Sequence, residues 1–178
     1  MKSLLLAAAL LLGTGSAAAD IFLCTGGGIA GSVQDPDFVR CIAITSYQAG
    51  ISTPESGQIG SGRTRGNAEF TDFVLSKAFD LSTLGLRRAA IQGEAFQEWS
   101  IHFLTTGCGN QRLEYQRINV SNVVVSSINE TATDEGTAAE VLTLNFEEVE
   151  WIQTTYDDTC QVSGTETFAW NVGDAAPP

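Results

Sequence analysis

Few side chains here combine the residue type and the spacing that chemistry needs. His102, in Ser100-Ile101-His102-Phe103, is the only histidine. A general base needs a nucleophile or a carboxylate converging on it, and a lone histidine on a strand is more often packed or at the surface. Glu147, Glu148 and Glu150 would suit the paired carboxylates of sugar hydrolysis, although acidic residues on a solvated sheet face are commoner. Gly26-Gly27-Gly28-Ile29-Ala30-Gly31 matches G-x-G-x-x-G after a strand. As a dinucleotide fingerprint it must open a helix, but Gln34-Asp35-Pro36 and a β-branched apolar run follow, so it reads as a turn. Asn119-Val120-Ser121 and Asn129-Glu130-Thr131 match the glycosylation pattern, which is frequent by chance. No catalytic, cofactor-binding or metal-ligating residue is assigned, and no cofactor is expected.

The four cysteines carry more. Met1-Lys2 is a short basic start, Ser3 to Leu12 is an apolar run about half the usual spanning length, and Ala17-Ala18-Ala19 offers small residues to a signal peptidase. Residues 1–19 are therefore expected to be a signal peptide and 20–178 a single domain, placed in the periplasm or outside the cell. Leu23, bulky and just before Cys24, argues against a lipid anchor. An even cysteine count in an exported chain favours two disulfides. Zinc-type spacing is absent: no two cysteines lie close together. Acidic residues outnumber basic ones, 21 to 9, which disfavours phosphate-driven nucleic-acid binding and fits a soluble surface.

The periodicity places the elements around these residues. Asp20 to Thr25 and Phe38 to Ile51 read as strands, joined by the turn-rich Gly26 to Asp37. Ser52 to Asn67 is glycine-rich, almost free of apolar residues, and long for an idle connection. Within it Arg63 and Arg65 are cations in an acidic chain, so the stretch is either simply mobile or docks on something acidic. Ala68 to Leu75 is a strand. Ser82 can cap a helix over Thr83 to Gln92 that Gly93 ends, with an apolar stripe of Leu84, Ala90 and Ile91. Ala95 to Thr105 and Arg112 to Ile128 are strands joined by the turn 106–110, and Glu130 to Ala139 is a loop. In Leu142 to Trp151 the apolar parity shifts at Glu147-Glu148, as at a β-bulge. This run and Thr167 to Val172, which sets Phe168, Trp170 and Val172 on one face, form a C-terminal hairpin. The total is about eight short strands and one helix, a mainly-β barrel or sandwich. With strands in up-and-down order, Cys24 and Cys41 are cross-strand neighbours, and Cys108 and Cys160 sit in turns at one end. The expected pairs are Cys24–Cys41 and Cys108–Cys160.

In order, these pieces resemble the Hcp family, the tube protein of bacterial type VI secretion. The resemblance rests on Phe79-Asp80-Leu81-Ser82-Thr83-Leu84-Gly85-Leu86, Val123-Val124-Val125-Ser126-Ser127, Glu140 to Phe146 and Ala169-Trp170-Asn171. It implies a small barrel of two antiparallel β-sheets with one flanking helix. It also implies a homohexameric ring that stacks into a tube, with small protein effectors as partners. A long loop would reach the next subunit, which makes Ser52, Pro54, Arg63, Arg65 and Asn67 candidate subunit-interface residues, the arginines facing an acidic neighbour. The export signal, the four cysteines, and Leu84 where the family tends to have proline set this chain apart, and fit an exported, non-enzymatic Hcp-like protein. Two other readings compete. A monomeric secreted β-module would bind a glycan or protein. A secreted hydrolase would bring His102 and an acidic residue into one cleft.

Overall fold

The structure, a computed structural model, describes residues 20–56, 64–107, 109, 111–134 and 138–177. The alternating apolar runs become strands β1 (Asp20–Cys24), β2 (Ile42–Ile44), β3 (Ser46–Gln48), β4 (Ile51–Ser52), β5 (Glu55–Ser56), β6 (Thr64–Arg65), β7 (Glu69–Phe70) and β8 (Phe73–Ala78). After helix α1 (Thr83–Gln92) come β9 (Ala95–Gly107), β10 (Gln111–Ala132), β11 (Ala138–Asn145), β12 (Glu148–Tyr156) and β13 (Val162–Asn171). Nine of them form one antiparallel sheet along the path β2-β1-β9-β10-β11-β8-β3, with β12 on β10 and β13 on β12.

The path starts and ends on one stretch of chain. β2 pairs with β1, β3 pairs with β8, and only Thr45 separates them. The Thr45 amide donates to the Ser76 carbonyl at 2.8 Å, so the sheet curls until its two ends share residues 42–48. Inside lie Leu23, Ile42, Leu75, Trp99, Ile101, Ile118, Leu142 and Leu144, all essentially inaccessible. Each such aliphatic side chain contributes roughly 1.5–3 kcal/mol by leaving water.

Several expectations need correction. The second strand is shorter than Phe38 to Ile51. Residues 38–41 are held in turns, with Phe38 N–H donating to Asp35 and Cys41 N–H to Phe38, and Arg40 has φ 65°. The segment after it carries short ladders, β4 on β7 and β5 on β6. The parity shift near Glu147 is not a one-residue bulge. Ser121 faces Glu148 and Val124 faces Asn145, so equal lengths of chain lie between the two pairs. Instead both strands turn over together: Asn122 takes φ 50°, and 146–147 break the ladder. Burial then passes from Val120 to Val123 on one strand and from Phe146 to Val149 on the other. Through this point β10 passes from a half shared with β9 and β12 to a half paired mainly with β11.

The helix is also turned relative to the expected stripe. Leu86 and Ala89 are buried, while Leu84 and Ile91 are 70% and 85% exposed. Residues 84 and 91 are seven apart and share a face, and the sheet covers the opposite one. Gly85 permits the close packing: a Cβ there would stand 2.9 Å from Ile29 Cγ2. Ser82 makes no side-chain cap bond to the helix. Its hydroxyl donates to Asp80 Oδ1 at 2.5 Å, and Asp80 Oδ1 accepts the Ser82 amide at 3.0 Å. Gly93, at φ 61°, ends the helix in the left-handed conformation.

Below the helix start, Lys77 takes a core-facing position on β8, directly across from Glu140 on β11. Both side chains are 0% exposed. Lys77 Nζ donates to Glu140 Oε2 at 2.5 Å and to Thr83 Oγ1 at 3.2 Å, and lies 2.9 Å from Asp80 Oδ1. The Thr83 hydroxyl donates to Glu140 Oε2 at 2.9 Å and accepts the Asp80 amide. Three ammonium hydrogens and every capacity of the Thr83 hydroxyl are thus used. Glu140 Oε1 accepts no hydrogen bond and lies 3.7 Å from Arg87 Nη2. The cluster docks the helix on the sheet.

Candidate functional site

Two regions of the described surface stand out. The first is the arm formed by residues 51–56 and 64–70, with β4 on β7 and β5 on β6. Ser52, Pro54 and Asn67 are exposed on it. Arg65 lies in β6, opposite Glu55, and Arg63 lies outside the described residues. Gly66 is needed at the base, since a Cβ there would come 2.9 Å from Pro54 Cγ. At the root, Phe70 stacks over Trp151 (6.2 Å), Trp151 over Phe168 (5.9 Å) and Phe168 over Trp170 (6.2 Å). Alternation on β12 and β13 produces this aromatic row, because Trp151 faces Phe168 and Val149 faces Trp170. Phe168 is 58% exposed and Ile51 60%, so arm and C-terminal hairpin present one apolar surface.

The second region is the outer face of β1, β9 and β10. Inward residues Ile21, Leu23, Ile101 and Phe103 leave Phe22, Cys24, Ser100, His102 and Leu104 pointing outward. The 25–41 connection folds over part of this face. Cys24 is disulfide-bonded to Cys41, 17 residues on. Phe38 stacks on Phe22 at 4.8 Å and meets the His102 ring edge-on at 5.0 Å. Arg112 pairs with Asp35 and Asp20 and lies over both phenyl rings.

Under this cover His102 has two partners. Its Nδ1 is 2.6 Å from Glu114 Oε2 and its Nε2 is 2.8 Å from Ser100 Oγ. Arg117 donates to the other Glu114 oxygen through Nε (2.9 Å) and Nη2 (2.7 Å). Burial raises the Glu114 pKa, but the hydrogen bonds and charges of His102 and Arg117 outweigh it and hold the carboxyl below its usual range. An ionised carboxylate only accepts, so Nδ1 carries the hydrogen. In the neutral imidazole Nε2 then accepts from the Ser100 hydroxyl.

Sequence reading missed Ser100 and Glu114. Ser100 was visible as the i−2 neighbour of His102 on one strand face. Glu114 was not, because the β9–β10 register shifts between Glu114 and Gln116. Tyr115 is the extra residue. It brings Arg117 opposite His102 while Glu114 stays opposite Leu104, so a carboxylate and a cation three apart share a face. Bulges commonly re-aim side chains in this way.

Of the other candidates, Glu148 and Glu150 line one cleft with Glu98 and Asn119, and Glu147 lies outside it. Glu147, Glu148 and Glu150 each accept from a different asparagine, Asn122 (2.5 Å), Asn171 (3.0 Å) and Asn119 (2.7 Å). Asn119 and Asn129 stand within β10 rather than in loops. Gly26 and Gly27 turn with φ 62° and 94° and open no helix. Among the described residues no group of three or more His, Cys, Asp or Glu could hold a metal ion. Cys160 is disulfide-bonded. The expected partner, Cys108, lies outside the described residues, as does the expected signal peptide, 1–19.

No curated protein sequence matches the chain. Solved structures do. One titled as a type six secretion system protein superposes with a TM-score of 0.81 at 19% identity, over 89% of this chain and 98% of that one. Hcp1 from Salmonella typhimurium gives 0.72 at 19% identity, over 89% and 98%. The secreted protein Hcp3 from Pseudomonas aeruginosa gives 0.54 at 11% identity, over 88% and 99%. These likenesses establish the fold. The family model for the type VI secretion system effector Hcp matches residues 22–152, and the chain belongs to the Hcp family.

Proposed function

We propose that the protein is a ring-forming structural subunit of the type VI tube kind, exported from the cytoplasm and acting in the periplasm or outside the cell. The arm carries this reading. Ladders as short as β4–β7 and β5–β6 are marginal on their own, and most of the arm's described side chains lie in solvent. Such an arm gains its packing from a second surface. A neighbouring copy supplies one: the chain has a net charge of −12, and Arg63 and Arg65 would meet acidic residues across the contact, setting register and association rate. The Phe168 and Ile51 surface beside the arm adds apolar area. A homohexamer that stacks, with small effectors held inside, is the assembly we infer.

Measured solution mass at two concentrations tests the reading. A ring former exceeds the monomer mass and dissociates on dilution; a strictly monomeric protein would support a glycan- or protein-binding module instead. Arg63→Glu with Arg65→Glu weakens the assembly and leaves the monomer folded. Unchanged assembly in that double variant removes the arm from the interface. We infer export from residues 1–19 and from the disulfide chemistry, with cleavage after Ala19. N-terminal sequencing of protein from the periplasm or medium should begin at Asp20. We also propose the second bridge as Cys108–Cys160, which non-reducing peptide mapping checks.

A further inference from the structure

We propose that Ser100, His102 and Glu114 form a serine-esterase centre on the outer face of the curled sheet, acting on carboxylic esters with a short acyl chain. The connectivity is that of an activated nucleophile: hydroxyl to imidazole at 2.8 Å, imidazole to carboxylate at 2.6 Å. The orientation is held from both sides. Arg117 grips the second oxygen of Glu114, and Phe38 covers the imidazole. The 25–41 cover is itself pinned by the Cys24–Cys41 bond and by Arg112. Water is thereby kept from the His102–Glu114 contact, whose side chains are 13% and 21% exposed. Shielding of this kind strengthens such a contact.

Ser100 also has somewhere to receive a substrate. It lines a cleft of about 610 Å³ with Gly26, Gly28, Phe96 and Glu98. The cleft exists because β1 stops at Cys24, opposite Ser100, and the chain turns away through the glycines. From there back to Ala95 no strand among the described residues lies on that edge of β9. Backbone N–H groups along it would be the donors a tetrahedral oxyanion needs. Phe96 offers the one aromatic wall, enough for a short acyl chain, and Glu98 disfavours an anionic one.

The chemistry balances with the groups present. Ser100 Oγ attacks the ester carbonyl carbon as its proton passes to His102 Nε2. The tetrahedral adduct collapses, the C–O bond of the alcohol breaks, and the alcohol leaves with the proton from Nε2. Water then attacks the acyl-serine by the same route, His102 taking and returning one proton, and the free acid and Ser100 are regenerated. Ser100 and His102 are catalytic residues in this scheme. Glu114 is a positioning residue that fixes the Nδ1–H tautomer.

The test uses the full, oxidised protein and a fluorophosphonate probe. Serine attack on the probe's phosphorus expels fluoride and leaves a stable adduct. Peptide mapping should find that adduct on Ser100, and His102→Gln should slow its formation about 10²–10⁴-fold. With 4-nitrophenyl butyrate, Ser100→Ala should abolish turnover. Glu114→Gln should lower kcat by roughly 10³–10⁴-fold with KM little changed, a split that a merely structural role would not produce. Variants are compared only where their melting stays close to that of the parent, and Glu114→Gln replaces His102→Gln if the latter does not fold. No adduct on Ser100 in the unaltered protein overturns the proposal. So does an adduct that forms as fast without His102, or ester hydrolysis that persists in Ser100→Ala, which would be simple imidazole catalysis. Labelling of the unaltered chain needs no substitution and decides the matter by itself.

Discussion

The molecule holds two clusters built from the same parts, a hydroxyl, a cationic or basic group and carboxylates. Lys77, Thr83, Asp80 and Glu140 lie beneath the helix, and Ser100, His102, Glu114 and Arg117 lie on the outer face. Inside, each ammonium hydrogen and each capacity of the Thr83 hydroxyl has a partner, and Lys77 and Glu140 are fully enclosed. Outside, Ser100 keeps a free acceptor side and opens on a cleft. The difference teaches that hydrogen-bond chemistry alone does not separate structure from reactivity. A cluster sealed from water can only hold elements together, whereas one whose serine oxygen opens on a cleft can meet a substrate.

Substitutions should break this contrast unequally. Lys77→Met leaves the Glu140 carboxylate buried without its ion partner and should cost about 3–5 kcal/mol, read as a lower urea midpoint with an unchanged slope. Adding Glu140→Leu should recover most of that loss, because apolar replacement of a whole buried pair is often neutral. A double variant as unstable as the single one would show that the cluster does more than satisfy itself. Acid should act on both clusters. Burial raises the Asp80 pKa, but hydrogen bonds from Ser82 and Lys77 and the Lys77 charge outweigh it, so Asp80, like Glu114, sits below its usual value. With the folded value depressed, the unfolded chain takes the proton first. The stabilisation is complete above about pH 4–5 and is lost as pH falls through the folded value. Asp80→Asn should therefore flatten the acid limb of a stability–pH curve. His102→Gln should have the smallest effect on folding, about 1 kcal/mol, because Arg117 stays on the Glu114 carboxylate. A larger loss in urea titration would make the outer cluster a structural one.

Much of the architecture was legible because it rests on short-range patterns. The period-2 runs, Gly93 at the end of the helix and the aromatic alternation of the last hairpin are set by neighbours along the chain. The unusual character of 52–67 was equally plain from composition, though its short ladders were not. The ordered motifs carried the Hcp resemblance that the family match upholds.

What only the tertiary structure decided are the long-range registers and the faces they expose. Alternation sets Lys77 on the face of Phe73 and Leu75, but no neighbour along the chain offers the buried carboxylate its charge needs. Glu140, 63 residues away, makes that placement tolerable. Leu84 and Ile91 looked like a buried stripe, but the helix presents Leu86 and Ala89 to the one face the sheet can cover. The parity shift at Glu147-Glu148 was visible on one strand, but not that Asn122 turns the paired strand over with it. One extra residue, Tyr115, sets Glu114 and Arg117 around His102. The physical reason is common to all four. Alternation says which residues share a face, but which face is buried depends on strand pairs that close only when distant chain segments meet.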